Sequence, residues 1–567
     1  MNTETVANGA DQLLNALKRE EASIIFGQVR EPTLPIFHAL SSSTHDIDCI
    51  QPVHEQATIH AADGYARATG KPGVAIISAG PSLTNAITGL ATAYMDSVPL
   101  VVIAAHVSDK NNCSDQFQEL DGNGIVNPVA KHVCMIEEAG DISRLVSGSF
   151  SLALSGRPGP IVLLIPKELL SAPRAVETSS EKVSNYQHSI HPLPENMISL
   201  AATELNKAKR PVLLIGGGVI SSGACELLHS LVERTNIPVV STLMGLGALR
   251  SDHHLHLGMV GMHGTIAANR AVYKADLLIS LGVRFSDRIT GKISAFSPQS
   301  KKVHIDIDQA ELNKIITVDL PVIADIKEFL QQFITYLHPN DHQHWIHETA
   351  SWPKQSPQYN KSDSILKPQG VIRWINEVTN GEAIIATDVG QHQIFTALNY
   401  CFTSPRSFLT SGGLGTMGFG VPAAIGAASG YPDKQVVCIS GDGSFQMNVQ
   451  ELLTIARYQL PIKIVIINNG YLGMVRQWQE LFYQKRYSHV KISSPDYLRL
   501  AESYGINSFR AEDEEEAKAI ISKAFTTSGP VLMEFNVKKE GNVYPIVPPG
   551  ASNQAAMLEK AEKASQT

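Results

Sequence analysis

The residues best suited to chemistry lie in the last third of the chain, where two apolar runs end. The first run ends in Gly-Asp-Gly-Ser, which brings Asp442, Gly443 and Ser444 together, and the next ends in Asn-Asn with Asn469. Mg²⁺ takes oxygen ligands, and Asp442 offers a carboxylate, Asn469 an amide oxygen and Tyr471 its backbone carbonyl. The glycines would let the backbone approach a phosphate, and a helix starting near Ser444 would direct free N–H groups at it. These residues predict a site for a magnesium-bound diphosphate.

A glycine-rich turn with an aspartate capping a helix is the plainer interpretation of Gly-Asp-Gly by itself. The Asn-Asn pair at the end of the following run favours the metal site over that alternative.

The elements that must position these residues follow one pattern along the whole chain. A short apolar run rich in β-branched residues ends in a turn, and a helical pattern follows it. Such runs alternating with helices predict an α/β protein of three doubly wound parallel-sheet domains, with ligands at the carboxyl ends of the strands. The predicted strands are Val74–Ser78, Leu100–Ala104, Ile161–Ile165, Val212–Ile215, Leu277–Leu281, Val303–Ile307, Ala383–Thr387, Val436–Ser440, Ile462–Ile467 and Val531–Phe535.

Length and local composition predict where the domains divide. A chain of 567 residues corresponds to about three domains. Two stretches rich in polar residues and proline, Ala172–Asn196 and Pro339–Pro368, are typical of linkers. We therefore expect domains at residues 1–180, 195–340 and 365–545, followed by a polar tail at 546–567 with a helical pattern after Gly550.

The overall composition argues against several classes of protein. The net charge of −8 is not that of a nucleic-acid-binding surface, and no apolar run is long enough for a membrane span. Residues Met1–Arg19 form an amphipathic helical pattern with no signal-peptide core, so we expect a cytoplasmic protein. Six scattered cysteines without a C-x-x-C pair are interpreted as free thiols: Cys49, Cys113, Cys134, Cys225, Cys401 and Cys438.

The spacing G-D-G-S-x₂₃-N-N resembles the diphosphate motif of thiamine-diphosphate enzymes. Over nearly the whole chain, the sequence further resembles the catalytic subunits of acetolactate synthases. The segments that carry this resemblance include HEQATIHAADGYARATGKPGV, FQELD, LGMVGMHGT, RFSDRITGK, TDVGQHQ, GGLGTMGFG, GMVRQWQ and IVPPGASN. The resemblance implies a pyrimidine-binding first domain, a flavin-associated middle domain and a diphosphate-binding third domain.

Glu55 resembles the family carboxylate that hydrogen-bonds the pyrimidine N1′ and so lets the cofactor activate its own C2 carbon. A glutamate that merely favours the start of a helix is the plain alternative. In the family, the cofactor bridges the first domain of one chain and the third of another. The resemblance therefore implies a homodimer or homotetramer, and a small regulatory subunit stays open.

Further site residues are implied by the resemblance alone. Diphosphate contacts would come from Gln391, His392, Gly415 and Ser444, and Met417 would hold the cofactor bent. Flavin adenine dinucleotide, in a structural role, would contact Gly217, Gly218, Met262, His263, Gly282, Arg284, Asp306 and Asp325, although Ser286 stands where the family usually has Asp.

The implied reaction decarboxylates pyruvate and adds its two-carbon unit to pyruvate or 2-oxobutyrate, giving acetolactate or acetohydroxybutyrate. Arg288 would hold the acceptor carboxylate, and Trp478 and Met474 would shape the acceptor pocket. Phe117, Gln118 and Lys167 match other active-site positions. An amphipathic helix with a buried tryptophan is the neutral interpretation of the segment around Trp478.

Three segments of the first block depart from the family pattern. The family reads F-G-Y-P-G-G, S-G-P-G-A-T-N and T-G-Q, whereas this chain has F-G-Q-V-R-E at 26–31, A-G-P-S-L-T-N at 79–85 and A-A-H at 104–106. Arg30 and Glu31 thus replace two glycines, and Ser82 replaces a third. Three hypotheses follow: an acetolactate synthase, a paralogous decarboxylase or carboligase with another donor or acceptor, and a degenerate scaffolding subunit. Intact Glu55, Asp442 and Asn469 argue against the last.

Overall fold

The computed structural model describes residues 8–41, 46–106, 118, 120–173, 193, 195–340, 342–354, 366–539 and 541–558. Within them lie three six-stranded sheets, and every strand pairing in these sheets is parallel. The predicted fold class, three doubly wound parallel sheets with interleaved helices, is confirmed. The domain boundaries given above stay a prediction.

The first sheet has the strand order β2-β1-β3-β4-β6-β5. Its strands are β1 Ile24–Gly27, β2 Asp48–Ile50, β3 Gly73–Ser78, β4 Leu100–His106, β5 His132–Met135 and β6 Pro160–Pro166. Its helices are α1 Gly9–Arg19, α2 Leu34–Leu40, α3 Glu55–Thr69, α4 Pro81–Asp96, α5 Gly122–Val126, α6 Ile142–Leu154 and α7 Lys167–Ser171. Helix α1 confirms the amphipathic helix predicted near the N-terminus, because its leucines are fully buried.

The middle sheet has the order β9-β8-β7-β10-β11-β12. Strands β8 and β9 are added on one side of β7 and strands β10 to β12 on its other side, so the strand order reverses between β7 and β10. Its strands are β7 Pro211–Ile215, β8 Val239–Ser241, β9 His256–Met259, β10 Leu277–Leu281, β11 Lys301–Asp306 and β12 Leu320–Ile323. Its helices are α8 Glu195–Lys207, α9 Gly217–Ser221, α10 Cys225–Thr235, α11 Ile266–Lys274, α12 Asp287–Thr290, α13 Ile326–Phe333 and α14 Gln343–Ala350. This is the strand order of dinucleotide-binding sheets, in which the ligand crevice opens at the point of reversal.

The third sheet, β14-β13-β15-β16-β18-β17, repeats the order of the first. Its strands are β13 Ile384–Thr387, β14 Phe408–Leu409, β15 Val436–Gly441, β16 Lys463–Asn468, β17 Asn507–Ala511 and β18 Val531–Asn536. Its helices are α15 Pro368–Thr379, α16 Gln391–Asn399, α17 Gly420–Gly430, α18 Asp442–Phe445, α19 Leu452–Arg457, α20 Gly473–Phe482, α21 Tyr497–Ser503 and α22 Glu514–Thr526.

The first and third sheets share one hydrophobic core, because helices α3 and α17 pack against each other. Both helices are rich in alanine and glycine, so their backbones come close. A Cβ atom added to Gly64 would collide with the backbone of Ala423, and one added to Gly426 would collide with that of Ala61. Since α3 begins at Glu55, this packing also fixes where that carboxylate stands relative to the third sheet.

Two expectations from composition differ from the structure. The stretch 339–368 contains helix α14, whose Trp345 is 2% exposed and donates from Nε1 to the carbonyl of Pro211. A buried tryptophan anchors this stretch to the middle domain, so its described part is not a free linker. In the tail, the described residues after Gly550 form a short 3₁₀ turn, Asn553–Ala555, and a bridge between Ile546 and Met557, not the expected α-helix.

The described cysteines, all but Cys113, are free thiols, as expected. No described helix is long and apolar enough to cross a membrane.

Candidate active site

A cavity opens at the carboxyl ends of β13, β15 and β16. The register of the sheet pairs Gly441, the last residue of β15, with Ile467 on β16, so Asp442 and Asn469 follow neighbouring strand ends. Asp442, Asn469 and Tyr471 all line this cavity. The three oxygen ligands predicted from the sequence therefore face one space.

Asp442 is a buried carboxylate, only 1% exposed. Its Oδ2 accepts hydrogen bonds from the backbone N–H of Gly470 at 3.0 Å and the hydroxyl of Ser494 at 3.3 Å. Burial raises the pKa of Asp442 to about 6, although these hydrogen bonds act in the opposite direction. Among the described residues, no cationic side chain forms an ion pair with it. A divalent cation beside Asp442 would stabilise its charged form.

Asn469 and Tyr471 are held in place by a local turn and by a glutamine. The side-chain oxygen of Asn469 accepts from the N–H of Tyr471 at 2.9 Å, and its Nδ2 donates to Oε1 of Gln391 at 3.3 Å. Gln391 in turn donates to Oε1 of Gln477 and to the carbonyl of Gly541. Gln391 thus lines the cavity as expected, with its amide engaged in organising the neighbouring loops.

His392 presents an open ring nitrogen to this cavity. Its ring is 6% exposed, lines the cavity, and has an Nε2 atom with no hydrogen-bond partner among the described residues. Burial lowers the pKa of His392 to about 3, so the ring is neutral. A Cβ atom at Gly441 would lie 2.7 Å from Nδ1 of this ring, so the turn needs glycine there. A bound water can donate to Nε2, and a phosphate oxygen can accept from it in the tautomer that carries the proton there.

The segment after the Gly-Asp-Gly turn differs from the single helix expected. Helix α18 is short and continues as a 3₁₀ segment, Gln446–Glu451, before α19 begins. The break lies at Asn448, whose side chain donates to the carbonyl of Gly418. Ser444, inside α18, donates to the carbonyl of Val389 and lines the cavity.

Met417 and Met474 line the same cavity, whereas Gly415 is exposed outside it. The loop that carries Met417 is held by Asp388, which sequence analysis missed. Asp388 is fully buried and accepts from the N–H groups of Gly418 and Gly420. Its signal is a polar residue directly after strand β13, where ligand loops begin.

Arg288 and Trp478, predicted as acceptor-pocket residues, come together although they are 190 residues apart. The guanidinium carbon of Arg288 lies 5.8 Å from the centre of the Trp478 ring, a cation–π distance. Trp478 is one helical turn from Met474 on α20, and Met474 lines the cavity. Arg288 is half-exposed, and its other charged contact is Asp287 at 3.0 Å. A carboxylate between Arg288 and the cavity would meet an available guanidinium edge.

Glu55 lies at the first turn of α3 and is 4% exposed. Its carboxylate accepts hydrogen bonds from Asn85, Ser82 and Arg30 at 3.0, 2.9 and 3.0 Å. All of these residues belong to the first domain: Arg30 lies in the loop after β1, and Ser82 and Asn85 lie on helix α4. By contrast, every described residue that lines the cavity belongs to the third block. The described contacts of one chain therefore do not join Glu55 to Asp442.

Comparison with known proteins places the chain in a family. Thiamine pyrophosphate enzyme families match it in order: the N-terminal TPP binding domain at residues 7–125, the central domain at 198–333 and the C-terminal TPP binding domain at 388–535. The acetolactate synthase large subunit of Haemophilus influenzae is 39% identical over 98% of this chain and 99% of its own length. The isozyme 3 large subunit of Escherichia coli is 40% identical over 98% and 99%, and a probable large subunit of Methanococcus aeolicus is 43% identical over 96% and 94%.

The chain belongs to the acetolactate synthase large subunit family. It is therefore a thiamine-diphosphate-dependent enzyme, and the resemblance found in the sequence is confirmed.

In this acetolactate synthase homologue, two residues that depart from the family pattern, Arg30 and Glu31, point in opposite directions. Arg30 turns inward onto Glu55, whereas the exposed Glu31 pairs with Lys167 at 2.6 Å. The hydrogen bond to Glu31 raises the pKa of Lys167. Gln118 has a φ of +64° and packs against Gly80 at the start of α4, while Phe117 lies outside the described residues.

In the middle domain, two turns meet at the point where the strand order reverses. Gly218 follows β7 and donates its N–H to the carbonyl of Gly282, which follows β10. A Cβ atom at Gly218 would lie 2.6 Å from the Cα atom of Gly282. These glycines let the backbones of the two turns approach closely at the point where the strand order reverses. A Cβ atom at Gly217 would lie 3.4 Å from the Cβ atom of Met244, an ordinary contact distance.

The other predicted flavin residues fall into three places. Met262 and His263 bond the backbone around Arg288, Val547 and Pro545, so they join the middle domain to the tail. Arg284 lies 3.8 Å from the carboxylate of Asp96, in the first domain. Asp306 ends strand β11, and Asp325 follows strand β12. Burial raises the pKa of Asp306 to about 6, and Asp325 caps helix α13.

Proposed function

We propose that this chain catalyses carboligation of 2-oxo acids: pyruvate is decarboxylated, and its two-carbon unit is added to pyruvate or 2-oxobutyrate. The observation that carries the proposal is the cavity in which Asp442, Asn469 and Tyr471 meet the unsatisfied Nε2 of His392. Bound thiamine diphosphate supplies the nucleophilic carbon and the electron sink that decarboxylation needs.

The chain's own residues would divide the work between two ends of the cofactor. Asp442, Asn469 and the carbonyl of Tyr471 would hold Mg²⁺, and Ser444 with His392 would contact the diphosphate. Glu55 would hydrogen-bond the pyrimidine N1′ and control its protonation. Arg288 would bind the acceptor carboxylate, with Trp478 packed against its guanidinium.

We infer that a complete site needs two chains. The cavity residues come from the third block, and the carboxylate that would activate the pyrimidine comes from the first; no described hydrogen bond or ion pair joins the Glu55 side chain to a residue of the cavity. A symmetric dimer, by itself or within a tetramer, supplies two such sites. A small regulatory subunit is a further proposed partner, because the relatives are named large subunits.

We further propose a structural flavin adenine dinucleotide in the middle domain. Support comes from the strand order of that sheet and from the turns at Gly218 and Gly282. The purified protein should then be yellow, without a change in flavin redox state during turnover. Active protein that is colourless and gains nothing from added flavin would contradict this.

The second candidate is a paralogue with the same cofactor and another reaction. It is favoured by Arg30 and Ser82, which add a cation and a hydroxyl at Glu55 where the family pattern has glycine. Identifying the products formed from pyruvate, alone and with 2-oxobutyrate, in the presence of thiamine diphosphate and Mg²⁺, separates the two. Acetolactate supports carboligation, acetaldehyde supports a decarboxylase, and no product from either mixture contradicts the proposed substrates.

A further inference from the structure

The carboxylate of Glu55 already has most of its acceptor sites filled. Oε1 accepts from Nη2 of Arg30 at 3.0 Å and from Oγ of Ser82 at 2.9 Å, while Oε2 accepts from Nδ2 of Asn85 at 3.0 Å. Each carboxylate oxygen has about two acceptor sites. Oε1 is therefore full, and Oε2 keeps one site for a further donor.

Arg30 reaches Glu55 through a built cradle. Its Nη2 also donates to Oε1 of Gln28 at 2.8 Å, and its Nη1 donates to the carbonyl of Val29 at 3.0 Å. The backbone N–H of Arg30 donates to the hydroxyl of Thr33 at 2.9 Å. Gln28 is itself buried, 3% exposed, and is the residue that stands in place of the family tyrosine. The guanidinium is thus held by Gln28 and Val29 as well as by Glu55.

Ser82 reaches the same oxygen through a buried relay. Ser78, at the end of β3, donates to the hydroxyl of Ser82 at 2.9 Å, and Ser82 donates onward to Glu55. Both serines are only 4% exposed. Two positions that are glycine in the resembled family, Arg30 and Ser82, therefore converge on one carboxylate oxygen.

We propose that Arg30 and Ser82 are positioning residues that engage Oε1 of Glu55, keep its carboxylate ionised, and direct Oε2 to the cofactor. This inference rests on the proposed role of Glu55 and adds to it a pair of residues that sets the charge state of that group. A glycine-containing loop could do neither.

The charges around Glu55 agree with this arrangement. Arg30 is the cation facing it from the loop after β1, His54 precedes it, and helix α4 contributes only neutral donors. From the third domain, Glu451 accepts the N–H groups of Val53 and His54. Burial raises the pKa of Glu55, but the hydrogen bonds from α4 and the backbone and the charge of Arg30 outweigh it and lower the pKa overall.

The direct test is infrared titration of the protein without cofactor or substrate. The carboxylic-acid C=O band of Glu55 is assigned as the band that Glu55→Gln removes. In the wild type, this band should appear only at low pH. Ser82→Ala removes a buried hydrogen bond and Arg30→Ala removes a half-exposed cation, so we expect the midpoint to rise in both variants, by up to about one pH unit.

Matched variants separate charge from structure. Arg30→Lys keeps the charge and should titrate near the wild type. Arg144→Ala removes an arginine that pairs with Asp141 on the surface of the same domain, and should leave the midpoint unchanged. An unmoved midpoint in both Arg30→Ala and Ser82→Ala would overturn the inference. Acetolactate formation is measured separately, so a protein that makes acetolactate with an unmoved midpoint refutes this inference alone.

Discussion

The first and third sheets have the same strand order, yet their carboxyl ends carry carboxylates in opposite electrostatic settings. Asp442 in the third has neutral donors and no described cationic partner, and burial raises its pKa to about 6. Glu55 in the first has a guanidinium at 3.0 Å and a lowered pKa. One topology thus gives two electrostatic settings: the third sheet leaves its carboxylate without a described cation, as the proposed metal site requires, and the first supplies its own cation.

The largest effect should come from Glu55. Glu55→Gln keeps the shape and removes the anion, and turnover to acetolactate should fall by about 10²–10⁴-fold, as for a lost acid–base group. Cofactor affinity should change little, because the diphosphate and metal are held by the third sheet. Steady-state rates and cofactor titration check both parts. Unchanged turnover would remove Glu55 from the mechanism.

A second effect should appear in metal dependence. Asp442→Ala removes the only charged ligand proposed for Mg²⁺, so we expect the metal to bind about 100-fold more weakly or worse. Raised Mg²⁺ and cofactor should recover part of the activity. Asp433→Ala, at an exposed position after α17, is the matched control. Equal Mg²⁺ dependence in the Asp442 variant and the control would show that the third-sheet carboxylate is not a metal ligand.

The effect at Arg288 should be smaller and limited to the acceptor. Arg288→Gln removes a charged hydrogen bond to the acceptor carboxylate, which corresponds to about a 10–100-fold rise in acceptor KM. Decarboxylation of the donor should be less affected. Arg270→Gln, exposed on α11, controls for loss of charge in the same domain. An acceptor KM that matches the control would exclude Arg288 from the pocket.

The smallest effect concerns the middle sheet, whose strand order differs from the other two. Gly218→Ala places a Cβ atom 2.6 Å from the Cα atom of Gly282, whereas Gly217→Ala finds 3.4 Å to Met244. Overpacking of this kind costs about 1–3 kcal/mol. Thermal unfolding should therefore show a lower midpoint for Gly218→Ala and little change for Gly217→Ala. Equal midpoints would mean that the two turns do not pack as tightly as described.

The buried strands could be predicted because their apolar runs are continuous. All ten predicted strands occur in the structure with ends within two residues of the prediction. Most of the missed strands are short. Strand β14 has two residues, and β5, at an edge, has no fully buried side chain. A run of two to four apolar residues does not distinguish a strand from part of a helix.

That Asp442 and Asn469 meet at one cavity could also be predicted, because they follow neighbouring buried strands. The directions of Arg30 and Glu31 could not. They lie in an irregular loop without periodicity, so the sequence does not indicate which way each side chain points. In the structure, Thr33 fixes the backbone of Arg30, and a 3₁₀ turn from Glu31 to Thr33 sends the neighbouring side chain out to Lys167.

We proposed above that each active site combines the first sheet of one chain with the third sheet of another. Co-expression of Glu55→Gln and Asp442→Ala chains tests it most directly. In a random mixture, half of the dimers are hybrids in which one of two sites has both carboxylates, so activity should return to about one quarter of the wild-type level. Mixing the separately folded variants without subunit exchange is the control. If both carboxylates of a site came from the same chain, no combination would restore one, and co-expressed chains as inactive as the separate variants would contradict the account.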